Sequence, residues 1–139
     1  FEEIDGHDIV LFDDMVRTGS TVVNSCEFLK QIHPGKTVFA VSHLYASEEG
    51  RDKMANPAID EILTLNTLPT VLNRDVQGRL RRKMVVLKIE RWLAKNLAGL
   101  LGIHHAREDG LYQIDMSSTN PRFIRKIYSS DQLAELHQR

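Results

Sequence analysis

Short apolar, β-branched runs alternate along this chain with stretches whose apolar residues recur at helical spacing. Residues 8–12 (DIVLF) form the first run, and 36–42 (KTVFAVS) the second. Between them Val22, Val23, Cys26 and Leu29 mark one face of a helix within 20–32. Pro34 and Gly35 then stop that helix and turn the chain. The pattern continues with strand candidates at 59–66 (IDEILTLN) and 83–89 (KMVVLKI), and an amphipathic helix follows around 90–101. Strands separated by helical crossovers predict an α/β fold with a mostly parallel sheet. Near-continuous apolar strands predict helices on both faces, in three layers, with 8–12 as a central strand.

After residue 103 the pattern changes. A His-rich patch (GIHHAREDG), the stretch LYQIDMSSTNPRF and a short helical pattern at 131–137 follow without a clear place in the sheet. The expected organisation is therefore one α/β unit over 1–103, the second half of a larger domain, and an appendage over 104–139. Neither internal repeats nor low-complexity segments occur.

Composition narrows the function classes. The chain has 139 residues, 42% hydrophobic and 27% charged, with a formal net charge of -1, which is ordinary for one globular domain. Such a balance provides no global field for nucleic acid or an anionic membrane, so an anion must be gripped locally. The single cysteine, Cys26, allows no internal disulfide, and no apolar run approaches the roughly 18 residues of a spanning helix. A reducing cytoplasm is the expected compartment. The chain opens at Phe1 without an initiator Met or a leader pattern, and the expectation is a piece of a longer polypeptide.

The chemistry concentrates in residues 9–23, IVLFDDMVRTGSTVV. In parallel sheets ligands bind beyond the carboxyl ends of strands, where helix N-termini point free N–H groups outward. Thr18, Gly19, Ser20 and Thr21 place hydroxyls and an unhindered backbone where the helix opens, a cradle for a phosphate. Asp13 and Asp14 beside it suit either hydrogen bonds from vicinal hydroxyls or a divalent cation held by the ligand. Together they point to a phosphorylated sugar. The plain alternative is that the acids and hydroxyls merely cap the helix.

This string, an apolar strand ending in two acids and then Thr-Gly-Ser-Thr, resembles the ribose-phosphate loop of the type I phosphoribosyltransferase fold. SHLYAS at 42–47 and LNTLP at 65–69 resemble later motifs of the ribose-phosphate pyrophosphokinases within that fold. KMVVLKIERWLAKNL takes the place of their closing strand and helix, so the resemblance covers roughly 5–101. It implies that Asp13 and Asp14 contact the ribose 2- and 3-hydroxyls and that Thr18, Gly19, Ser20 and Thr21 hold the 5-phosphate. It further implies an enzyme that uses Mg2+ to transfer the diphosphoryl group of ATP to ribose 5-phosphate. The products would be phosphoribosyl pyrophosphate and AMP, and the enzyme a homo-oligomer. The family's ATP-contacting residues lie upstream of this motif, so ATP would be bound by residues absent here and the chain alone would be inactive. A nucleobase phosphoribosyltransferase and a noncatalytic regulatory or assembly subunit of the same fold are the competing implications.

Several residues depart from the family pattern or carry weaker signals. Arg17 stands where many relatives have an acid, and either adds a phosphate contact or points to solvent. Leu44 and Leu65 replace a Gly and a Thr of the later motifs. His43 at a strand end is expected to make a structural or ligand-adjacent hydrogen bond rather than bind metal. Adjacent His104 and His105, without a nearby ligand cluster, do not suggest zinc. Arg79, Arg81, Arg82 and Lys83 are either a phosphate-binding patch or a solvated face. Cys26 and Trp92 are expected in the core.

Overall fold

The computed structural model describes residues 5–103 and 113–115. Its sheet contains β1 (Ile9–Val16), β2 (Thr37–Leu44), β3 (Glu61–Leu65), β4 (Met84–Lys88) and β5 (Gln113–Asp115), in that spatial order. The first four strands are parallel, and β5 runs antiparallel to β4. Helix α1 (Ser20–Lys30) joins β1 to β2, and α2 (Glu48–Met54) joins β2 to β3. The β3–β4 connection coils through 3-10 turns at Pro69–Leu72 and Gly78–Lys83, flanking the short α3 (Arg74–Gln77), and α4 (Glu90–Leu100) follows β4. This is the expected α/β class with a mostly parallel sheet.

The core explains why these segments fold. Phe39, Val41, Ile62, Met84 and Val86 pack in one cluster with Val22, Val23 and Cys26 of α1, Met54 of α2, and Val71 and Leu80 of the connection. Burying side chains of this size stabilises by about 1.5–3 kcal/mol each. Two polar ties set the helices on the sheet. Lys30 Nζ meets Asp60 Oδ2 at 2.7 Å, and the same oxygen accepts from the Thr37 N–H at 2.8 Å. Lys83 Nζ donates to the carbonyls of Ala55, Asn56 and Ile59 at 2.9, 2.6 and 2.7 Å. On the opposite face, Phe12, Ala40, Ser42, Leu63, Leu65 and Leu87 line an open hollow of about 190 Å³.

The structure departs from the sequence pattern in four places. First, β1 is not a central strand: it is the edge of the sheet, and among the described residues nothing pairs with its outer side. Strand order follows chain order, so the first strand falls at an end, and Phe12 is left 82% exposed. Second, β1 does not stop at Phe12. It continues through Asp13 to Val16, because the ladder with β2 persists to Val16 opposite Leu44. Third, Gln113–Asp115, inside the segment expected to stand apart, joins the sheet against Val86–Lys88. His104, His105 and the helical pattern at 131–137 lie outside the described residues. Fourth, Trp92 is 41% exposed on a helix that buries only Ala98, so it does not pack in the core.

Candidate functional site at the carboxyl end of β1

Gly19 opens the site. It is the N-cap of α1 with φ of 71°, a left-handed conformation that glycine adopts without penalty. A Cβ there would lie 2.8 Å from Met54 Cγ and 3.1 Å from the Gly50 carbonyl oxygen. The contact is reciprocal, since a Cβ on Gly50 would sit 2.6 Å from the Arg17 carbonyl oxygen. The loop between β1 and α1 therefore rests directly on the first turn of α2, backbone against backbone. Two polar links hold it there: the Ser47 N–H donates to the Arg17 carbonyl at 3.1 Å, and Lys53 Nζ donates to Ser20 Oγ at 3.3 Å. Sequence reading missed α2. Its signal was present, because Ser47 caps it through the Gly50 N–H at 3.1 Å and Glu48 and Glu49 occupy its first turn.

The six expected binding residues follow one another from the end of β1, which holds Asp13 and Asp14, through the loop to the first turn of α1, which holds Ser20 and Thr21. Asp13 and Asp14 are exposed at consecutive positions of β1. Asp13 Oδ1 accepts from the Asp14 N–H at 2.8 Å. Thr18 and Thr21 are exposed, Ser20 is half-buried, and Gly19 is buried. No side chain caps α1, so the capping explanation for the acids and hydroxyls fails. What remains is a helix N-terminus whose first-turn N–H groups lack side-chain acceptors, beside two carboxylates facing solvent. The N-terminal end of a helix dipole favours an anion at that spot. Arg17 is exposed at the same loop, consistent with either role expected of it.

The neighbouring strand ends are laced together. Thr67 Oγ1 lies 2.8 Å from His43 Nδ1 and donates to the Ser42 carbonyl at 3.1 Å. Asn66 Oδ1 accepts from the Ile89 N–H at 3.1 Å while its amide donates to Glu90 Oε1 at 2.6 Å. The SHLYAS and LNTLP stretches thus join β2, β3 and β4 at the same edge of the sheet as the loop.

Other candidates separate cleanly. Cys26 is fully buried, and burial pushes its thiol up to about 11, against the opposing pull of Lys30. It is a core thiol, not a nucleophile. Within the basic cluster, Lys83 serves the fold through its three carbonyl partners, and burial lowers its pKa. Arg79 and Arg82 are solvent-exposed. Among the described residues no three His, Cys, Asp or Glu side chains gather to hold a metal ion, and no helix is long and apolar enough to cross a membrane.

No family model matches the chain. Individual proteins do. The ribose-phosphate pyrophosphokinase of Haemophilus ducreyi is 33% identical over 94 residues, 67% of this chain and 28% of that protein. That of Corynebacterium glutamicum is 34% identical over 67 residues, 48% of this chain and 21% of its own length. The chain therefore spans less than a third of these relatives. Among solved structures, phosphoribosylpyrophosphate synthetase from Mycobacterium smegmatis shares the fold, with a TM-score of 0.60 at 24% identity. The match covers 71% of this chain and 32% of that one. By sequence, over the part of their length that it spans, the chain is a homologue of the ribose-phosphate pyrophosphokinases.

Proposed function

We propose that this chain is the ribose 5-phosphate-binding part of a ribose-phosphate pyrophosphokinase. The observation that carries the reading is the uncapped N-terminus of α1 beside two carboxylates that face solvent. The N–H groups and hydroxyls of residues 18–21 hold the 5-phosphate, and Asp13 and Asp14 accept hydrogen bonds from the ribose 2- and 3-hydroxyls. With both ends of the sugar held, its 1-hydroxyl is fixed for attack on the β-phosphorus of ATP, releasing AMP. Fixing an acceptor in this way removes translational and rotational freedom from the reaction.

ATP would be held by residues outside this chain. Magnesium would be carried with the substrate phosphates, where it neutralises their charge. By the same proposal the chain works within a longer polypeptide, of whose relatives it spans less than a third, and within a cytoplasmic oligomer, binding the sugar without turnover when alone.

Isothermal titration of the chain with ribose 5-phosphate tests the binding, and the ribose analogue lacking the 5-phosphate serves as the control. Saturable binding that needs the phosphate is expected; equal heats from both compounds would overturn the reading. Joined to an ATP-binding portion, the chain should yield AMP from ATP and ribose 5-phosphate. Release of pyrophosphate only when a nucleobase is supplied would assign a phosphoribosyltransferase instead.

A further inference from the structure

His43 lies where a second hydrogen bond to the same sugar becomes available. In the β1–β2 ladder Asp13 stands opposite Val41 and Met15 opposite His43. Side chains alternate along a strand, so Asp13 and His43 project to the same face as diagonal neighbours on adjacent strands. His43 is exposed, and one of its ring nitrogens is already committed. Thr67 Oγ1 has a single hydrogen, which it donates to the Ser42 carbonyl at 3.1 Å. With that hydrogen assigned to the Ser42 carbonyl, the oxygen is the acceptor in its 2.8 Å contact with His43 Nδ1, and the assignment puts the ring proton on Nδ1. With the ring neutral, that leaves Nε2 with a free lone pair on the face of the sheet that Asp13 shares and Asp14 does not.

We propose that His43 Nε2 accepts a hydrogen bond from the 1-hydroxyl of the sugar bound at the β1–α1 loop, the hydroxyl whose hydrogen Asp13 and Asp14 do not take, with Thr67 as the positioning residue that fixes the tautomer. The assignment rests on the sugar-phosphate reading above and adds a specificity contact to it. The chain Ser42 carbonyl, Thr67 hydroxyl, His43 imidazole, ligand hydroxyl runs in one donor direction. It favours a ligand group that can donate, which a hydroxyl can do and an unprotonated phosphate oxygen cannot. The contact therefore reads the sugar rather than its phosphate.

The test is titration of the full chain and its variants with ribose 5-phosphate and, separately, inorganic phosphate. His43→Asn keeps a nitrogen donor in reach of Thr67 but has nothing in place of Nε2. It should weaken ribose 5-phosphate roughly 3- to 10-fold, the loss expected for one neutral hydrogen bond, while inorganic phosphate binding and the melting temperature stay unchanged. Thr67→Val should give an intermediate loss, and nitrogen NMR of His43 should change from one Nδ1–H tautomer to a mixture. Unchanged ribose 5-phosphate affinity in His43→Asn would overturn the proposal. So would equal losses for both ligands, or a wild-type spectrum with the proton on Nε2. If the wild-type chain binds neither compound, the loop reading itself fails and this contact with it.

Discussion

Two regions of one sheet edge use similar residues to opposite ends. At the ends of β2, β3 and β4, Ser42, His43, Asn66, Thr67 and Glu90 bind one another, and even the Ile89 N–H finds an acceptor. At the end of β1, Asp13 takes only a neighbouring N–H, and the first turn of α1 has no side-chain cap. Polar groups that satisfy one another fasten strands, whereas polar groups left facing water keep their hydrogen-bonding capacity for water or for a ligand. The second region is nevertheless rigidly backed, because Gly19 and Gly50 bring loop and α2 into backbone contact. An unsatisfied surface on a firm support is what ligand binding requires.

Substitutions separate the two regions. The largest effect on binding should come from Asp13→Asn combined with Asp14→Asn. Each lost charge-assisted hydrogen bond is worth about 1.5–3 kcal/mol, so ribose 5-phosphate affinity should drop by roughly 100- to 10,000-fold. The melting temperature should not fall, since neither carboxylate ties two elements together. A lowered melting point with unchanged affinity would turn the comparison around and make the acids structural.

Gly50→Ala attacks the support. Its Cβ would press on the Arg17 carbonyl at 2.6 Å, backbone that cannot swing aside, at a cost of about 1–3 kcal/mol. Stability and ribose 5-phosphate affinity should fall together, measured by denaturant unfolding and titration. Full retention of affinity would mean that the loop does not depend on α2 for its shape.

Asn66→Ala attacks the fastened region. It strips the Ile89 N–H of its acceptor and should cost about 1–2 kcal/mol of stability, with little change in sugar-phosphate affinity. A loss of affinity larger than the loss of stability would show that the two regions are coupled.

The smallest effect concerns Asp60, away from the edge. Burial pushes its pKa up, but the hydrogen bonds from Lys30 and the Thr37 N–H, with the nearby positive charges, hold it below the ordinary carboxylate value. A depressed folded pKa means stability that is present above the unfolded value and lost as pH falls through the folded one. Acid titration of wild type against Asp60→Asn should show this slice vanish below the ordinary carboxylate range. With a side chain 37% exposed, it amounts to less than about 1 kcal/mol. An identical acid profile for the two proteins would show that the Lys30–Asp60 pair adds nothing.

Much of the fold was legible in advance because parallel strands and their crossover helices leave strong periodic marks. Val22, Val23 and Cys26 lie buried on α1 as their spacing requires, and α1 begins at Ser20 as the small-residue cluster indicates. The strand cores of KTVFAVS, IDEILTLN and KMVVLKI fall within a residue or two of β2, β3 and β4. The residues proposed for the site all fall within positions 13–21, so they need no tertiary contact to stand near each other. Helix α2 and Trp92 were misread for a common reason. A seven-residue helix has too few turns to show a period, and an aromatic residue on an amphipathic pattern says nothing of whether a partner surface exists.

The sequence alone therefore determined the strands, the helix that opens at Ser20, and the gathering of acids and hydroxyls in one short loop. These are local matters, decided by spacing along a few residues. Only the tertiary structure decided that β1 lies at an edge, that its ladder carries Asp13 and Asp14 into the strand, and that α2 supports the loop from behind. It alone brought His43 and Thr67 together across 24 positions of chain. Strand order, register and backbone-to-backbone approach depend on which distant segments bury one another, and no window of neighbouring residues contains that choice.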